Sequence, residues 1–181
     1  MRLDGLRVLV LAAEGVEDLE YWVTVMRLRE EGAIVRTAGL AQGTVRGKNG
    51  LAVPIDVPVA EVAAADVDAL VVPGGWAPDK LRRYRAVTDL VAAVHAAGKP
   101  LAVICHGGLV AISARIVAGR RATGSLGIKD DLENAGATWV DEPAFRDGTI
   151  VWGRVVDDIP AFLRETVACF AEARAAGQAS G

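Results

Sequence analysis

The chain has few cysteines and few histidines, and their scarcity excludes several classes of protein. Two cysteines in 181 residues cannot build the disulfide framework of a small secreted domain. With only two histidines, and without the paired Cys and His spacings of a zinc site, no metal is expected. A Cys-His-Glu amidotransferase is also excluded, because it needs a histidine far downstream of its cysteine and none follows residue 106.

Long apolar runs and biased segments are absent as well. Hydrophobic residues make up 52% of the chain, but charges and glycines interrupt them before any run reaches membrane-spanning length. The first run stops at Glu14, which is too early for a secretory signal, so we expect a cytoplasmic protein. A net charge of -3 argues against nucleic acid as a partner. The composition predicts one domain over residues 1–176 and a flexible tail over 177–181.

Short apolar stretches alternate with helical patterns along the chain. Such stretches are typical of strands that are covered on both faces. The alternation predicts an α/β fold with a doubly wound parallel sheet. The expected strands are 7–13, 34–38, 69–72, 100–104 and 122–123; the expected helices are 18–31, 87–97, 108–117, 128–135 and 159–175; and the expected antiparallel pairs are 44–46 with 51–54 and 144–146 with 149–152.

The segment around Cys105 is the most informative part of the sequence. A buried strand ends there and a helix begins at once, so the thiol lies at a sharp corner. At this corner the helix N–H groups and the positive end of the helix dipole favour the thiolate. Gly107 and Gly108 allow a tight turn and the close approach of a substrate. The alternative is an inert thiol that ends a core strand.

Two other loops are expected at the same edge of the sheet, where open α/β sheets bind their ligands. One carries Glu17, whose carboxylic acid could exchange a proton with the thiolate. An ordinary charge at a helix start is its alternative, and for Asp18 that interpretation is preferred. The other loop carries Gly74 and Gly75, whose N–H groups could bind an oxyanion.

Two further residues near this edge have more than one interpretation. Asp79 is either a helix cap or an acid that orients His106. Because consecutive residues at a helix start do not face each other, the backbone N–H of His106 is expected to matter as much as its ring.

Short motifs in a fixed order extend along nearly the whole chain. They include Glu14-Gly-Val-Glu17-Asp18, Val72-Pro-Gly-Gly75, Ile104-Cys-His-Gly107 and Asp157-Asp-Ile-Pro160. In order and spacing they resemble the PfpI-like branch of the ThiJ/PfpI family, which includes intracellular protease I, general stress proteins and protein deglycases. The resemblance implies a flavodoxin-like single domain with a nucleophile-elbow cysteine, which usually forms dimers or larger assemblies.

The resemblance also implies a role for each site residue. Cys105 would be the nucleophile, with Glu17 hydrogen-bonded to it. The backbone amides of Gly75 and His106 would form the oxyanion hole, and Asp79 would reach His106 of a neighbouring subunit. Aspartate at position 79 is shorter than the glutamate of the family archetype, which weakens that last role. The expected rim of the substrate pocket consists of Gly74, Trp76, Gly107 and Ser125.

Three functions stay open at this point. In the leading hypothesis, the Cys105 thiolate attacks a reactive carbonyl and Glu17 moves the proton that converts the hemithioacetal into a hydroxy acid, as a stress-protective glyoxalase III or deglycase would. The second is a cysteine peptidase that uses His106 as its acid and base. The third is a chaperone that uses the thiol as a redox sensor. The expected partners are a small carbonyl compound or a glycated protein or peptide, together with further copies of the chain. No metal, organic cofactor or membrane is expected.

Overall fold

The computed structural model of the chain describes residues 1–179, in which strands and helices alternate as the sequence predicts. The strands are β1 (Arg7–Leu11), β2 (Ile34–Gly39), β3 (Gly43–Arg46), β4 (Ala52–Ile55), β5 (Val57–Pro58), β6 (Ala69–Val72), β7 (Leu101–Ile104), β8 (Arg121–Ala122), β9 (Thr138–Trp139), β10 (Ala144–Asp147) and β11 (Ile150–Gly153). The helices are α1 (Asp18–Glu30), α2 (Ala77–Leu81), α3 (Arg85–Ala96), α4 (Gly108–Ser113), α5 (Lys129–Asn134) and α6 (Ile159–Ala179). Within these residues no helix combines the length and the apolar character needed to cross a membrane.

A seven-stranded sheet forms the centre of the molecule. Its strand order is β10-β11-β7-β6-β1-β2-β5, and every neighbouring pair is parallel except β10 with β11. All residues of β6, β7 and β11 are buried, as expected for continuous apolar strands covered on both faces. Helix α6 packs on β10 and β11 and against α1, while α3 and α4 pack on β6 and β7. The predicted doubly wound α/β fold is confirmed.

Three predicted elements differ from the structure. Residues 122–123 do not join the main sheet, because β8 is short, begins with an exposed arginine and pairs with β9 in a separate two-stranded sheet. The place beside β7 is taken by the wholly buried β11, which was expected only as half of a hairpin. The expected tail at 177–181 begins inside α6, which continues to Ala179, and the rest of it lies outside the described residues.

Helix α1 is fixed to the sheet by a buried polar contact. The hydroxyl of Tyr21, which is almost completely buried, lies 2.7 Å from the Thr37 hydroxyl on β2. Satisfying both hydroxyls inside the core makes this contact specific in direction as well as stabilising. It sets the position of α1 relative to β2, and the first turn of α1 carries acidic residues of the site.

Tyr21→Phe is therefore expected to destabilise the fold by about 1–2 kcal/mol, since it leaves the buried Thr37 hydroxyl without its partner. Urea unfolding would measure the change. The control is Tyr84→Phe. Tyr84 is 49% exposed, so loss of its hydroxyl should change the free energy of unfolding by no more than about 0.5 kcal/mol. Equal effects of the two substitutions would show that the Tyr21–Thr37 contact does not anchor α1.

Candidate active site

The sharp turn predicted at Cys105 is present and is built on a strained backbone. Cys105 has a φ of +58°, a left-handed conformation that is uncommon for residues other than glycine. A Cβ at Gly107 would lie 2.4 Å from the carbonyl oxygen of Val72, and one at Gly108 would lie 2.8 Å from the Ile128 side chain. Gly107 is therefore required for the turn to pack directly onto β6, whereas a side chain at position 108 would displace only the end of the Ile128 side chain.

The His106 ring faces the thiol, contrary to the expectation drawn from helix geometry. Its Nδ1 lies 3.3 Å from Sγ of Cys105, because the left-handed φ of Cys105 rotates the adjacent side chains toward each other. Burial, and to a lesser extent the charge of Lys48, lower the pKa of His106. The imidazole is thus neutral at physiological pH and can accept or donate a proton at the sulfur.

The acid beside the thiol is Glu20, which corrects the expectation for Glu17. Glu20 is fully buried, and its Oε2 accepts a 2.6 Å hydrogen bond from the Gly74 N–H. Its carboxyl interacts directly with the thiol of Cys105. Glu17 instead caps α1: one carboxylate oxygen accepts from the Glu20 N–H at 2.8 Å, and the other accepts from the Asn49 side chain at 3.3 Å. Both oxygens of Glu17 are therefore engaged away from the sulfur.

The periodicity of α1 contained a signal for Glu20. Glu20, Thr24 and Leu28 are spaced four residues apart, and all three are completely buried on one face of the helix. An acid in line with core residues is much less common than an acid at a helix start.

The pKa of the Cys105 thiol is set by opposing effects, and not only by the helix start that favours the thiolate. Burial and the Glu20 carboxylate raise the pKa of Cys105 to about 12, while hydrogen bonds from the His106 and Gly75 amides lower it. Burial also raises the pKa of Glu20 to about 7. Because the pKa of the thiol lies well above that of the carboxyl, the proton that the pair can share lies on sulfur at neutral pH. When Glu20 takes the shared proton, its charge disappears and the thiolate keeps both amide donors.

Gly74 and Gly75 hold the acid, the thiol and the amides together. A Cβ at Gly74 would lie 2.6 Å from Glu20 Oε2 and 2.7 Å from Cys105 Cβ, so no other residue fits there. Gly75 has a φ of +77°, and a Cβ on it would lie 2.4 Å from the Glu17 nitrogen. These two close approaches direct the Gly75 amide at the same sulfur as the His106 amide.

A cavity of about 320 Å³ opens above the sulfur. Trp76, at its mouth, is 60% exposed, and the Lys48 ammonium lies 5.8 Å from the centre of its ring. Gly74 and Gly107, which were expected on the rim, are buried outside the lining instead. The lining consists of Glu17, Glu20, Lys48, Gly75, Trp76, Cys105, His106, Ser125, Val155, Val156 and Asp157.

Asp79 lies outside this cavity and forms an ion pair with Arg83 one helical turn away. Its carboxylate is more than half exposed. Within one subunit Asp79 therefore orients Arg83 rather than His106.

Lys48 lies in the loop between β3 and β4. This loop is fixed by Asp18, which is 2% exposed and accepts hydrogen bonds from the backbone N–H groups of Asn49 and Leu51 at 2.6 and 2.8 Å. A Cβ at Gly47 would lie 2.4 Å from the Asp18 carboxylate, so the loop passes directly over it. Asp18 is thus not an ordinary charge at a helix start, because it places Lys48 over the cavity.

Comparison with known proteins agrees with this geometry. A model of the DJ-1/PfpI family matches residues 6–169. The chain belongs to the DJ-1/PfpI family. Within the family, it is 39% identical to deglycase PfpI of Pyrococcus furiosus, covering 90% of this chain and 98% of that protein. It is 38% identical to protein/nucleic acid deglycase 2 of Escherichia coli, covering 89% and 95%. The crystal structure of Drosophila melanogaster DJ-1beta has the same fold, with a TM-score of 0.85 at 24% identity over 93% of this chain and 95% of that one. The resemblance inferred from the motifs is confirmed.

Raising the pH is expected to destabilise the wild type relative to Glu20→Gln. A carboxyl whose pKa is about 7 when folded and 4.5 when unfolded stabilises the fold below pH 4.5, and this contribution is lost as the pH rises through 7. The difference in unfolding free energy between the two proteins should therefore change by up to about 3 kcal/mol between pH 4.5 and 8. Urea titrations at both pH values measure it. Glu17→Gln is the matched control, and a difference that does not depend on pH would place the proton elsewhere.

Proposed function

We propose that the protein is a cofactor-independent enzyme acting on reactive carbonyls, either free α-oxoaldehydes or their early adducts on amines and thiols. The observation that carries the proposal is the buried Glu20 carboxyl beside the Cys105 thiol, with the Gly75 and His106 amides directed at the same sulfur. A nucleophile, a proton carrier and two oxyanion donors are the groups that such a reaction needs. The deglycase names of relatives support the same chemistry.

The first step is attack of the Cys105 thiolate on the aldehyde carbon. A C–S bond forms and the carbonyl electron pair moves to oxygen, where the amides of Gly75 and His106 stabilise the negative charge. Protonation of this oxygen gives a hemithioacetal. The Glu20 carboxylate is the acceptor for the thiol proton, and the Gly75 and His106 amides stabilise the thiolate that forms.

The second step moves a proton between the two carbons of the adduct. The Glu20 carboxylate removes the proton from the carbon that bears sulfur, and the neighbouring carbonyl carbon is protonated. The first carbon is oxidised to a thioester and the second is reduced to an alcohol, so no external oxidant is needed. Water then breaks the C–S bond and releases a hydroxy acid and the thiol. A carboxyl with a pKa of about 7 suits both directions of transfer.

Adducts on protein amines would first be transferred to Cys105, and the reaction would then continue from the same hemithioacetal. Transfer of the carbinol carbon from nitrogen to sulfur breaks a C–N bond and forms the C–S bond, and the amine leaves with a proton from Glu20 or His106. The name of the Escherichia coli relative extends the test substrates to glycated nucleotides. The expectation from net charge, that nucleic acid is not a partner, is therefore tested directly with such a substrate.

A peptidase is the second candidate, and the 3.3 Å contact between Cys105 Sγ and His106 Nδ1 supports it. Peptide cleavage requires His106 to protonate the leaving amine. Since Asp79 faces Arg83 in its own subunit, its proposed contact with His106 needs a neighbouring copy of the chain. That contact stays a prediction, as does location in the cytoplasm.

A homodimer is part of the proposal. Leu19, Val23 and Met26 are spaced along one face of α1 and are 47%, 38% and 61% exposed. A second copy placed by a twofold axis would cover this apolar stripe with the same stripe of its own α1. The stripe lies on the solvent side of the helix whose buried side carries Glu20.

Cys105→Ala is expected to abolish methylglyoxal turnover, and Glu20→Gln to lower kcat by about 10²- to 10⁴-fold while Cys105 still reacts with iodoacetamide. The neutral glutamine resembles the protonated acid but cannot carry a proton. Steady-state turnover of methylglyoxal, a glycated amine and a fluorogenic peptide, with alkylation measured in parallel, separates the two roles.

Full methylglyoxal turnover by Cys105→Ala would rule out the covalent route. Peptide cleavage without carbonyl turnover, lost in His106→Ala, would favour the peptidase instead. Glu17→Gln is the comparison for position on α1: it should lower stability by about 0.5–2 kcal/mol through the loss of the cap and affect kcat less than Glu20→Gln does.

The dimer is tested by sedimentation velocity of the wild type and of Val23→Lys/Met26→Lys. The double substitution places two like charges opposite their symmetry mates, so the dimer should dissociate while the circular dichroism spectrum is retained. Ile34→Lys is the control, because Ile34 is apolar and 56% exposed but lies on β2, away from the stripe. A monomeric wild type, or a double variant that stays dimeric, would contradict the interface.

A further inference from the structure

The cavity carries two charges that the proposed chemistry does not use. Lys48 and Asp157 both line it, and neither side chain forms an ion pair within the described residues 1–179. The third peripheral charge, Glu17, is held by the Glu20 N–H and the Asn49 side chain. Lys48 and Asp157 are therefore the charges available to a bound substrate.

Both charged residues are exposed where they line the cavity. The Lys48 ammonium lowers the pKa of both His106 and Glu20, so it faces the reacting groups. Asp157 lies in the short 3-10 turn before α6 and is exposed. The cavity thus offers a bound substrate one positive and one negative side chain that no ion pair among the described residues neutralises.

Asp157 forms no ion pair with Arg154, because other carboxylates bind that guanidinium. Asp158 accepts two hydrogen bonds from Arg154 at 2.9 and 3.2 Å, and Asp141 binds the same guanidinium at 2.8 Å. Arg154 is thereby saturated by two other carboxylates. This arrangement leaves Asp157, which is exposed and lines the cavity, without a cation in the described part of the chain to neutralise it.

An exposed aromatic ring lines the same cavity as this carboxylate. Trp76 is 60% exposed, and its ring already lies near one cation, the Lys48 ammonium. A planar guanidinium binds an aromatic face by stacking and a carboxylate by paired hydrogen bonds. Trp76 and Asp157 together offer both types of contact at the entrance.

We propose that Asp157 is a specificity-determining residue that selects carbonyl adducts carried on cationic side chains, arginine above all. The inference rests on the proposed function and names its substrate class. A guanidinium keeps its positive charge when one nitrogen bears a carbinol group, so it can bind Asp157 while the carbinol carbon reaches Cys105. An adduct on a thiol side chain carries no positive charge, and a nucleotide adduct is anionic. Neither is therefore attracted to the Asp157 carboxylate.

The test compares methylglyoxal adducts of Nα-acetylarginine, N-acetylcysteine and GTP, together with free methylglyoxal. Asp157→Asn should lower kcat/KM for the arginine adduct by about 3- to 10-fold, mainly through KM, and Asp157→Lys should lower it further. Turnover of the thiol adduct and of free methylglyoxal should not change, and the GTP adduct should improve in Asp157→Lys. The loss should shrink in high salt, because exposed charges are screened. Asp130→Asn, an exposed aspartate outside the cavity, is the control.

A second readout does not depend on turnover. Nα-acetylarginine amide should slow the alkylation of Cys105 by iodoacetamide in the wild type and have a weaker effect in Asp157→Asn. An equal loss of kcat/KM for all substrates, or protection that is the same in both proteins, would overturn the inference. If the wild type turns over no carbonyl substrate but protection still depends on Asp157, the proposed function fails while the cation site stands.

Discussion

The site depends on the hydrogen bond from the Gly74 N–H to the buried carboxyl of Glu20. It joins the loop after β6 to the first turn of α1, directly beneath the elbow after β7. The contact exists only because position 74 has no side chain, since a Cβ would overlap both Glu20 and Cys105. A charged group with no exposure is costly unless it is hydrogen-bonded or neutral. One amide cannot satisfy a full carboxylate, and Oε1 of Glu20 has no regular hydrogen-bond partner among the described side chains. This cost raises the pKa of Glu20 to about 7, so the carboxyl can take up and release a proton beside the thiol near neutral pH.

A comparison of the two cysteines shows which part of this arrangement is specific to the site. Burial raises the pKa of Cys169 as it does that of Cys105, and a guanidinium, Arg146, opposes the shift at Cys169. A neighbouring cation is a stronger reason for ionisation than two amides are. Yet Cys169 is 5% exposed on α6, outside the lining of the cavity above the elbow. Under the proposed function, the reactivity of Cys105 would follow from access and from a partner that can exchange protons, not from the thiol pKa alone.

The parts of the fold that follow from local pattern could be predicted from the sequence, and those that depend on packing between distant segments could not. Continuous apolar runs identify β1, β6 and β7, and the glycines after Cys105 identify the elbow, because both are properties of a few consecutive residues. The choice between Glu17 and Glu20 depends on which face of α1 meets Gly74, a residue 54 positions away from Glu20. Asp18 was misinterpreted for the same reason, since its partners, the N–H groups of Asn49 and Leu51, lie beyond β2 and β3. Lys48 belongs to no recognisable motif. It becomes part of the site only because Asp18 holds its loop through the hydrogen bonds from Asn49 and Leu51.

Helix α1 couples these features, because its N-cap, two residues of its first turn and its outer face serve different parts of the molecule. Glu17 caps the helix, Asp18 fixes the Lys48 loop and Glu20 supplies the acid, while the outer face from Leu19 to Met26 stays available to a second copy. A small shift of α1 along β2 would change the acid, the loop and the cap together. The buried Tyr21–Thr37 contact opposes such a shift from the sheet side. In a dimer formed through the outer face, the contact would oppose this shift from the solvent side and would link oligomerisation to the Glu20–Cys105 pair through the position of one helix.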